Sequence, residues 1–209
     1  MKHTSITLLT LTAAASIAQA APAAAPAFTS SGNLAITSDY VWRGLSQTGG
    51  KAAIQGGYDV SHSSGLSAGV WASNVSSATG ELEIDVYGNY GFKLGAFDAS
   101  IGYLNYTYNT AQNFSEANVS LAYNGLTLKY SFAVNDTYNL GDYYEINYSY
   151  DVASVKGLNL GLHYGQWVDA DYDYAIALSY PVLGFTASVT YSDLQNGASI
   201  TAFSLKKTF

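Results

Sequence analysis

The chain has 209 residues, 15 acidic and 8 basic side chains, a formal net charge of −7 and no cysteine. A pI near 4.6 excludes nucleic acid as a partner, because phosphate binding needs a basic face, and the missing thiols exclude disulfides, a lipidated cysteine anchor and thiol chemistry. Only 11% of residues are charged, against 19 tyrosines and 20 glycines, whereas a water-facing domain commonly carries about 25% charge, so this surface suits another solvent.

In chain order, Lys2 and His3, the uncharged apolar stretch Ile6 to Ile17 and the small-x-small site Ala18-Gln19-Ala20 predict a secretory signal over 1–20. That stretch is too short to span a membrane as a helix. A flexible Ala/Pro-rich segment is expected over 21–31 and one β domain over 32–209. After the signal no run of eighteen apolar residues occurs, which argues against membrane-spanning helices. Apolar residues instead recur with period two: Leu126, Leu128, Tyr130, Phe132 and Val134 interleave with Thr127, Lys129, Ser131 and Ala133. Leu158, Leu160, Leu162 and Tyr164 behave in the same way, as do Phe185, Ala187, Val189 and Tyr191. Such alternation marks a strand with one apolar face.

Glycines punctuate these runs. Gly32, Gly65, Gly95, Gly125, Gly157 and Gly184 lie 33, 30, 30, 32 and 27 residues apart, a period that fits two strands and two turns, with glycine supplying the positive φ of tight hairpins. The expected strands are 33–43, 52–62, 66–74, 81–92, 97–107, 115–124, 126–134, 142–152, 158–168, 172–181, 185–193 and 199–209. An even number of antiparallel strands with short turns predicts an all-β, closed transmembrane barrel, about 24 Å across by strand spacing and closure. A soluble sandwich or lipocalin-like barrel would also alternate. Aromatic residues at strand ends favour the membrane form, in which rings collect at both interfaces. The residues expected there are Tyr40 and Trp42, Tyr90 and Phe92, Tyr123, Tyr180 and Tyr191. The chain ends on Phe209 behind Leu205 and Phe203, with Thr201 and Lys207 out of pattern. Such an ending predicts the Gram-negative outer membrane, with its lipid and lipopolysaccharide as surroundings and the barrel-assembly machinery as a partner that reads Phe209.

The segment Ser31-Gly32-Asn33-Leu34-Ala35-Ile36-Thr37-Ser38-Asp39-Tyr40-Val41-Trp42-Arg43-Gly44-Leu45-Ser46-Gln47-Thr48 resembles the opening of the proteobacterial TorF family of porins, formerly a conserved hypothetical family. Gln55-Gly56-Gly57-Tyr58, Gly69-Val70-Trp71-Ala72-Ser73-Asn74 and Glu81-Leu82-Glu83-Ile84-Asp85-Val86-Tyr87 extend the resemblance, which is specific over 31–90 and general afterwards. Where the family commonly has Pro after the Lys51-like position, this chain has Ala52-Ala53, a difference in the first external loop. The resemblance implies a barrel and a channel, without a substrate.

Parity within the strands assigns Asp39, Arg43, Asp59, Glu81, Glu83, Asp85, Lys129, Glu145, Asp151 and His163 to the lumen, because a lipid-facing Lys or Arg costs about 2–4 kcal/mol at the midplane. Carboxylates outnumber bases in this set, so a narrow pore passing small solutes or ions would prefer cations. The competing reading is a plugged barrel whose charges pair with one another. The Glu81/Glu83/Asp85 stripe reads as lumen lining, since calcium needs six to eight oxygens that no acidic loop here supplies. Asp169, Asp171 and Asp173 read as an acidic patch on an outer turn. The external loops 44–50, 135–141 and 169–170 read as too short for a large plug. Of the two histidines after the signal, His62 falls in a turn and His163 in the lumen, neither beside a Ser motif. No zinc spacing, phosphate loop or dinucleotide signature occurs, so no catalytic residue, metal or cofactor is expected. A non-conducting structural or ligand-binding barrel and an outer-membrane enzyme remain as alternatives.

Overall fold

The computed structural model describes residues 27–77, 80–109, 113–136 and 138–209. The signal over 1–20 and the greater part of the expected flexible segment lie outside the described residues. The strands are β1 (Phe28–Thr37), β2 (Val41–Trp42), β3 (Leu45–Ser46), β4 (Ala53–His62), β5 (Leu66–Ser77), β6 (Gly80–Leu94), β7 (Phe97–Tyr108), β8 (Phe114–Tyr123), β9 (Leu126–Asn135), β10 (Tyr143–Asp151), β11 (Asn159–Trp167), β12 (Tyr172–Val182), β13 (Phe185–Leu194) and β14 (Ile200–Thr208). All but β2 and β3 close into an antiparallel barrel of twelve strands, the number the glycine period predicts. Each strand pairs with its chain neighbour, and β1 closes the ring by pairing with β4 on one side and β14 on the other.

The tight turns gather at the rim that also holds both chain ends, here the terminal rim. Asn124 and Gly125 both have positive φ, 47° and 84°, as the two central residues of a type I′ hairpin require. Gly32 differs from the other glycines of the period. It lies inside β1 without positive φ, and a Cβ there would stand 2.5 Å from the Phe209 ring. The Gly32 and Phe209 backbones exchange two hydrogen bonds, 2.8 and 2.9 Å long. Glycine at this point admits the terminal ring onto the closing seam.

The outer surface is apolar, as parity predicts. Leu34, Ile36, Ile54, Val70, Val86, Ile101, Leu128, Leu162, Ile176 and Phe203 all point out and are exposed. Aromatic pairs ring both rims: Tyr90 with Phe92, Phe97 with Tyr123 and Tyr148 with Tyr150 toward the terminal rim, Tyr164 with Tyr172 and Tyr174 with Tyr191 toward the other. Lys207, out of pattern on the outer-face parity, reaches back to the Gly184 carbonyl at 2.8 Å and lies over the Phe185 ring, which keeps its charge at the rim.

The first strand departs from the expectation of 33–43. β1 starts at Phe28, so residues 28–31 belong to the wall and not to a flexible segment. It ends at Thr37, because β4 matches it residue for residue from Phe28–His62 to Thr37–Ala53. Ser38 makes the last contact with β14, donating to the Phe203 carbonyl at 2.8 Å. Beyond it the chain leaves the wall.

Leu162→Arg places a cation on the apolar outer face and is expected to cost assembly about 2–4 kcal/mol, whereas Ser188→Arg, on the inner face near the terminal rim, is expected to fold. Heat-modifiable gel migration of the refolded protein reads the difference; equal loss at both positions would reverse the facing assignment.

Candidate functional site

The segment between β1 and β4 folds into the barrel mouth. β2 and β3 form a small hairpin, with Val41 opposite Ser46 and Trp42 opposite Leu45. Its tip is Arg43-Gly44, both with positive φ at 48° and 77°, again the geometry of a type I′ turn. Gly44 is needed twice over: besides its φ, a Cβ there would meet the Cβ atoms of Asp173 and Leu194 at 2.9 Å. The hairpin thus presses against the barrel wall.

Asp39 clasps the base of the hairpin. It accepts hydrogen bonds from Ser46 Oγ at 2.6 Å and Thr48 Oγ1 at 2.7 Å, and Thr48 Oγ1 accepts from the Tyr40 amide at 3.0 Å. One carboxylate therefore ties the outgoing chain to the returning one.

Arg43 crosses the lumen. Its two terminal nitrogens donate to the two oxygens of Glu116 on β8, each at 2.8 Å, a bidentate geometry that a planar guanidinium matches to a carboxylate. The guanidinium carbon lies 4.5 Å from the Trp42 ring centre, 3.9 Å from Tyr143 and 4.6 Å from Trp167. Aromatic faces attract a cation most strongly where water is excluded, and Arg43 and Glu116 are only 8% and 3% exposed. Trp42 packs edge-on against Tyr106 and Trp167, and Tyr106 stacks on Phe114 at 4.1 Å. The mouth is thus filled by aromatic rings around one ion pair.

Beneath the hairpin lies a polar network. Tyr143 donates to Asp173 Oδ2 at 2.7 Å, while His163 places Nε2 3.0 Å from Asp173 Oδ1 and Nδ1 2.7 Å from Asn147 Oδ1. Lys129 stands 3.3 Å from Glu145 on the adjacent strand. A cavity of about 50 Å³ remains among Thr37, Asp39, Gln55, Glu145, His163 and Asp173, room for a few waters but not for a sugar. Toward the terminal rim, inward residues such as Asp59, Asn89, Asn118, Asn147 and Ser188 are half-buried, so the lumen widens there.

The structure sorts the predicted lining. Arg43, Lys129, Glu145 and His163 meet around the cavity and the ion pair, with Asp39 in the clasp. Glu83 and Asp85 are buried on the opposite flank, beside Tyr40. Asp59 accepts from Tyr87 at 2.6 Å in the wide half, and Asp151, exposed near the terminal rim, accepts from Asn159 at 2.9 Å. Glu81 is exposed at the loop rim, away from the buried groups.

Four expectations change. Tyr40 and Trp42 are not part of the outer aromatic girdle: they enter the lumen with the hairpin. Asp39 and Arg43 face the lumen from that hairpin and not from the wall. Asp173 belongs to β12 and is buried in the network, apart from the exposed Asp169. The first external loop, short as it is, fills the mouth. Glu116 was legible as an inward position, since it shares parity with Asn118 and Ser120; its partner 73 residues away was not.

Arg43→Met would leave Glu116 buried without a counter-charge, a change that typically costs about 3–5 kcal/mol. The double variant Arg43→Met/Glu116→Leu is expected to recover most of that loss, because both charges then leave the interior. Denaturant midpoints of the heat-modifiable form measure both; a double variant no more stable than the single one would show that the pair does not hold the hairpin.

Comparison with solved structures places this architecture. The chain superimposes on the KdgM porin with a TM-score of 0.62 at 11% identity, covering 86% of this chain and 98% of that one. On the KdgM porin in complex with disordered oligogalacturonate the TM-score is 0.61 at 12% identity, covering 87% and 98%. A chain from work on the in-meso crystallization of membrane proteins gives 0.58 at 13% identity, covering 86% and 83%. At these identities the likeness is one of fold. No curated protein matches in sequence. A model of a bacterial family of unknown function, Gcw_chp, matches residues 20–208, nearly the whole chain, and the protein belongs to that family.

Proposed function

We propose that the protein is an outer-membrane channel for small cations, narrowed at the external mouth by its infolded β2–β3 hairpin. The observation that carries this reading is a closed barrel with an apolar exterior and an interior in which carboxylates outnumber bases. A closed sheet satisfies its backbone internally and can face lipid. The aromatic pairs at both rims, the resemblance of residues 31–90 to TorF porins and the porin fold of the structural neighbours support it. The exported chain would have both ends in the periplasm and lipopolysaccharide around its outer rim, with Phe209 presented to the barrel-assembly machinery. The hairpin then faces outward and the wide half opens to the periplasm.

The permeant class follows from charge and size. Asp59 and Asp151, with Lys206 near Asp59, line the wide half and Asp39, Glu145 and Asp173 the constriction, while Arg43 is held by Glu116 and Lys129 lies beside Glu145. Confined charge of one sign selects permeant ions. The oligogalacturonate bound by one structural neighbour is polyanionic, and such a ligand is poorly matched to this lumen. The filled mouth favours one other reading, a barrel shut at rest.

Planar-bilayer recording of the refolded protein tests the proposal. Small unitary conductance is expected, with reversal potentials in a salt gradient that favour the cation. That preference should shrink as salt rises, since the Debye length falls from about 10 Å at 0.1 M to about 3 Å at 1 M. Replacing Val41–Ser46 by Gly-Gly should raise conductance several-fold. Anion selectivity would overturn the ion preference, and unchanged conductance without the hairpin would overturn its role as the constriction. A barrel silent both with and without the hairpin would overturn the channel itself.

A further inference from the structure

We infer that Glu83 and Asp85 bind a divalent hard cation of the magnesium or calcium class that braces the infolded loop against the wall. Such a cation would bind whether or not the barrel conducts. Among the described residues, Glu116 is held by Arg43, Glu145 faces Lys129 at 3.3 Å and His163 at 3.8 Å, Asp173 faces His163 and the Tyr143 hydroxyl, and Asp39 is held by two hydroxyls. Glu83 and Asp85 are as deeply buried, at 1% and 3% exposure, and among the described residues neither forms an ion pair. They project from positions i and i+2 of β6, on one face.

The loop touches this pair. Tyr40 donates its hydroxyl to Glu83 Oε1 at 3.0 Å and packs edge-on against Trp71. Across the sheet, Glu83 lies opposite Ser73 and Tyr108, and Asp85 opposite Trp71 and Tyr106. Glu83 also interacts with the Tyr108 hydroxyl and with the Asp85 carboxyl, and Glu83 Oε2 and Asp85 Oδ1, both shut off from solvent, have no well-formed hydrogen bond. Buried carboxylate oxygens of this kind call for a counter-charge. Two adjacent carboxyl groups beside phenol oxygens match a hard divalent cation, since no His or Cys joins them among the described residues. Among the described residues no group of three or more His, Cys, Asp and Glu side chains forms a metal cluster. The site is therefore a two-carboxylate one, the mode in which magnesium keeps part of its water. Through Tyr40 the cation would link β6 to the base of the hairpin.

The test uses the refolded full chain in detergent after EDTA treatment, with Tb³⁺ as the probe, whose emission nearby Trp71, Tyr40, Tyr106 and Tyr108 would sensitise. Saturable emission is expected, displaced by Mg²⁺ or Ca²⁺, and weakened about tenfold or more in Glu83→Gln and in Asp85→Asn. It should be unchanged in Asp169→Asn/Asp171→Asn, which removes two carboxylates of the β11–β12 loop. Mg²⁺ should also raise the temperature at which wild-type protein loses its heat-modifiable form. The absence of saturable emission, or emission indifferent to both single substitutions, would overturn the site and leave the pair sharing a proton. Should neither variant refold, a wild-type unfolding temperature unmoved by excess Mg²⁺ decides against it.

Discussion

Closure of the sheet is the constraint from which the other features follow. A strand whose outer face is apolar has no polar surroundings to satisfy unpaired backbone N–H and C=O groups, so the ring has to end where it begins. Here that seam is β1 against β14, five residue pairs from Asn33–Thr208 to Thr37–Ser204, extended by the Gly32–Phe209 exchange. With β4 matched to β1 along its whole length, the wall has no room for Ser38 onward. The chain between β1 and β4 must project away or turn inside, and its residues turn it inside.

What turns it inside is a set of interactions that only a dry interior makes strong. An exposed Arg–Glu pair contributes little, and burying one costs desolvation that good geometry has to offset. The bidentate contact of Arg43 with Glu116 and the three aromatic faces around the guanidinium supply that geometry. The Asp39 clasp shapes the loop so that Arg43 arrives there, and Gly44 lets the tip lie against β12 and β13. The result is polarised along the barrel axis: a mouth packed with rings at one rim, a polar vestibule at the other.

That polarity gives the lumen two electrostatic regions. At the mouth the charges other than Glu83 and Asp85 have named partners, so the field there depends on pairs being kept. In the vestibule the charges are fewer and partly hydrated. The hairpin therefore governs both the width of any passage and which charges a solute meets first, and substitutions in its clasp act on both together.

Much of the barrel was legible in the chain alone. Period-two alternation and the glycines near every thirtieth residue located the strands from β4 to β14 to within a few residues, because a strand in this barrel wall has one apolar side and tight turns need positive φ. Parity also told the inward Glu83, Asp85, Lys129, Glu145 and His163 from their outward neighbours. Alternation reports only which side of a local ribbon a side chain occupies. Leu34, Ile36, Tyr40 and Trp42 keep one rhythm across Thr37, although the first two face outward and the last two enter the lumen, since a hairpin inside the barrel alternates as a strand in its wall does. Whether the ribbon stays in the wall was decided by the length of β4, and where it goes by Glu116, Tyr143 and Trp167, which the chain brings to Arg43 from far along its length. Those contacts exist only once the ring has closed, and so the open or filled state of the mouth belongs to the tertiary structure alone.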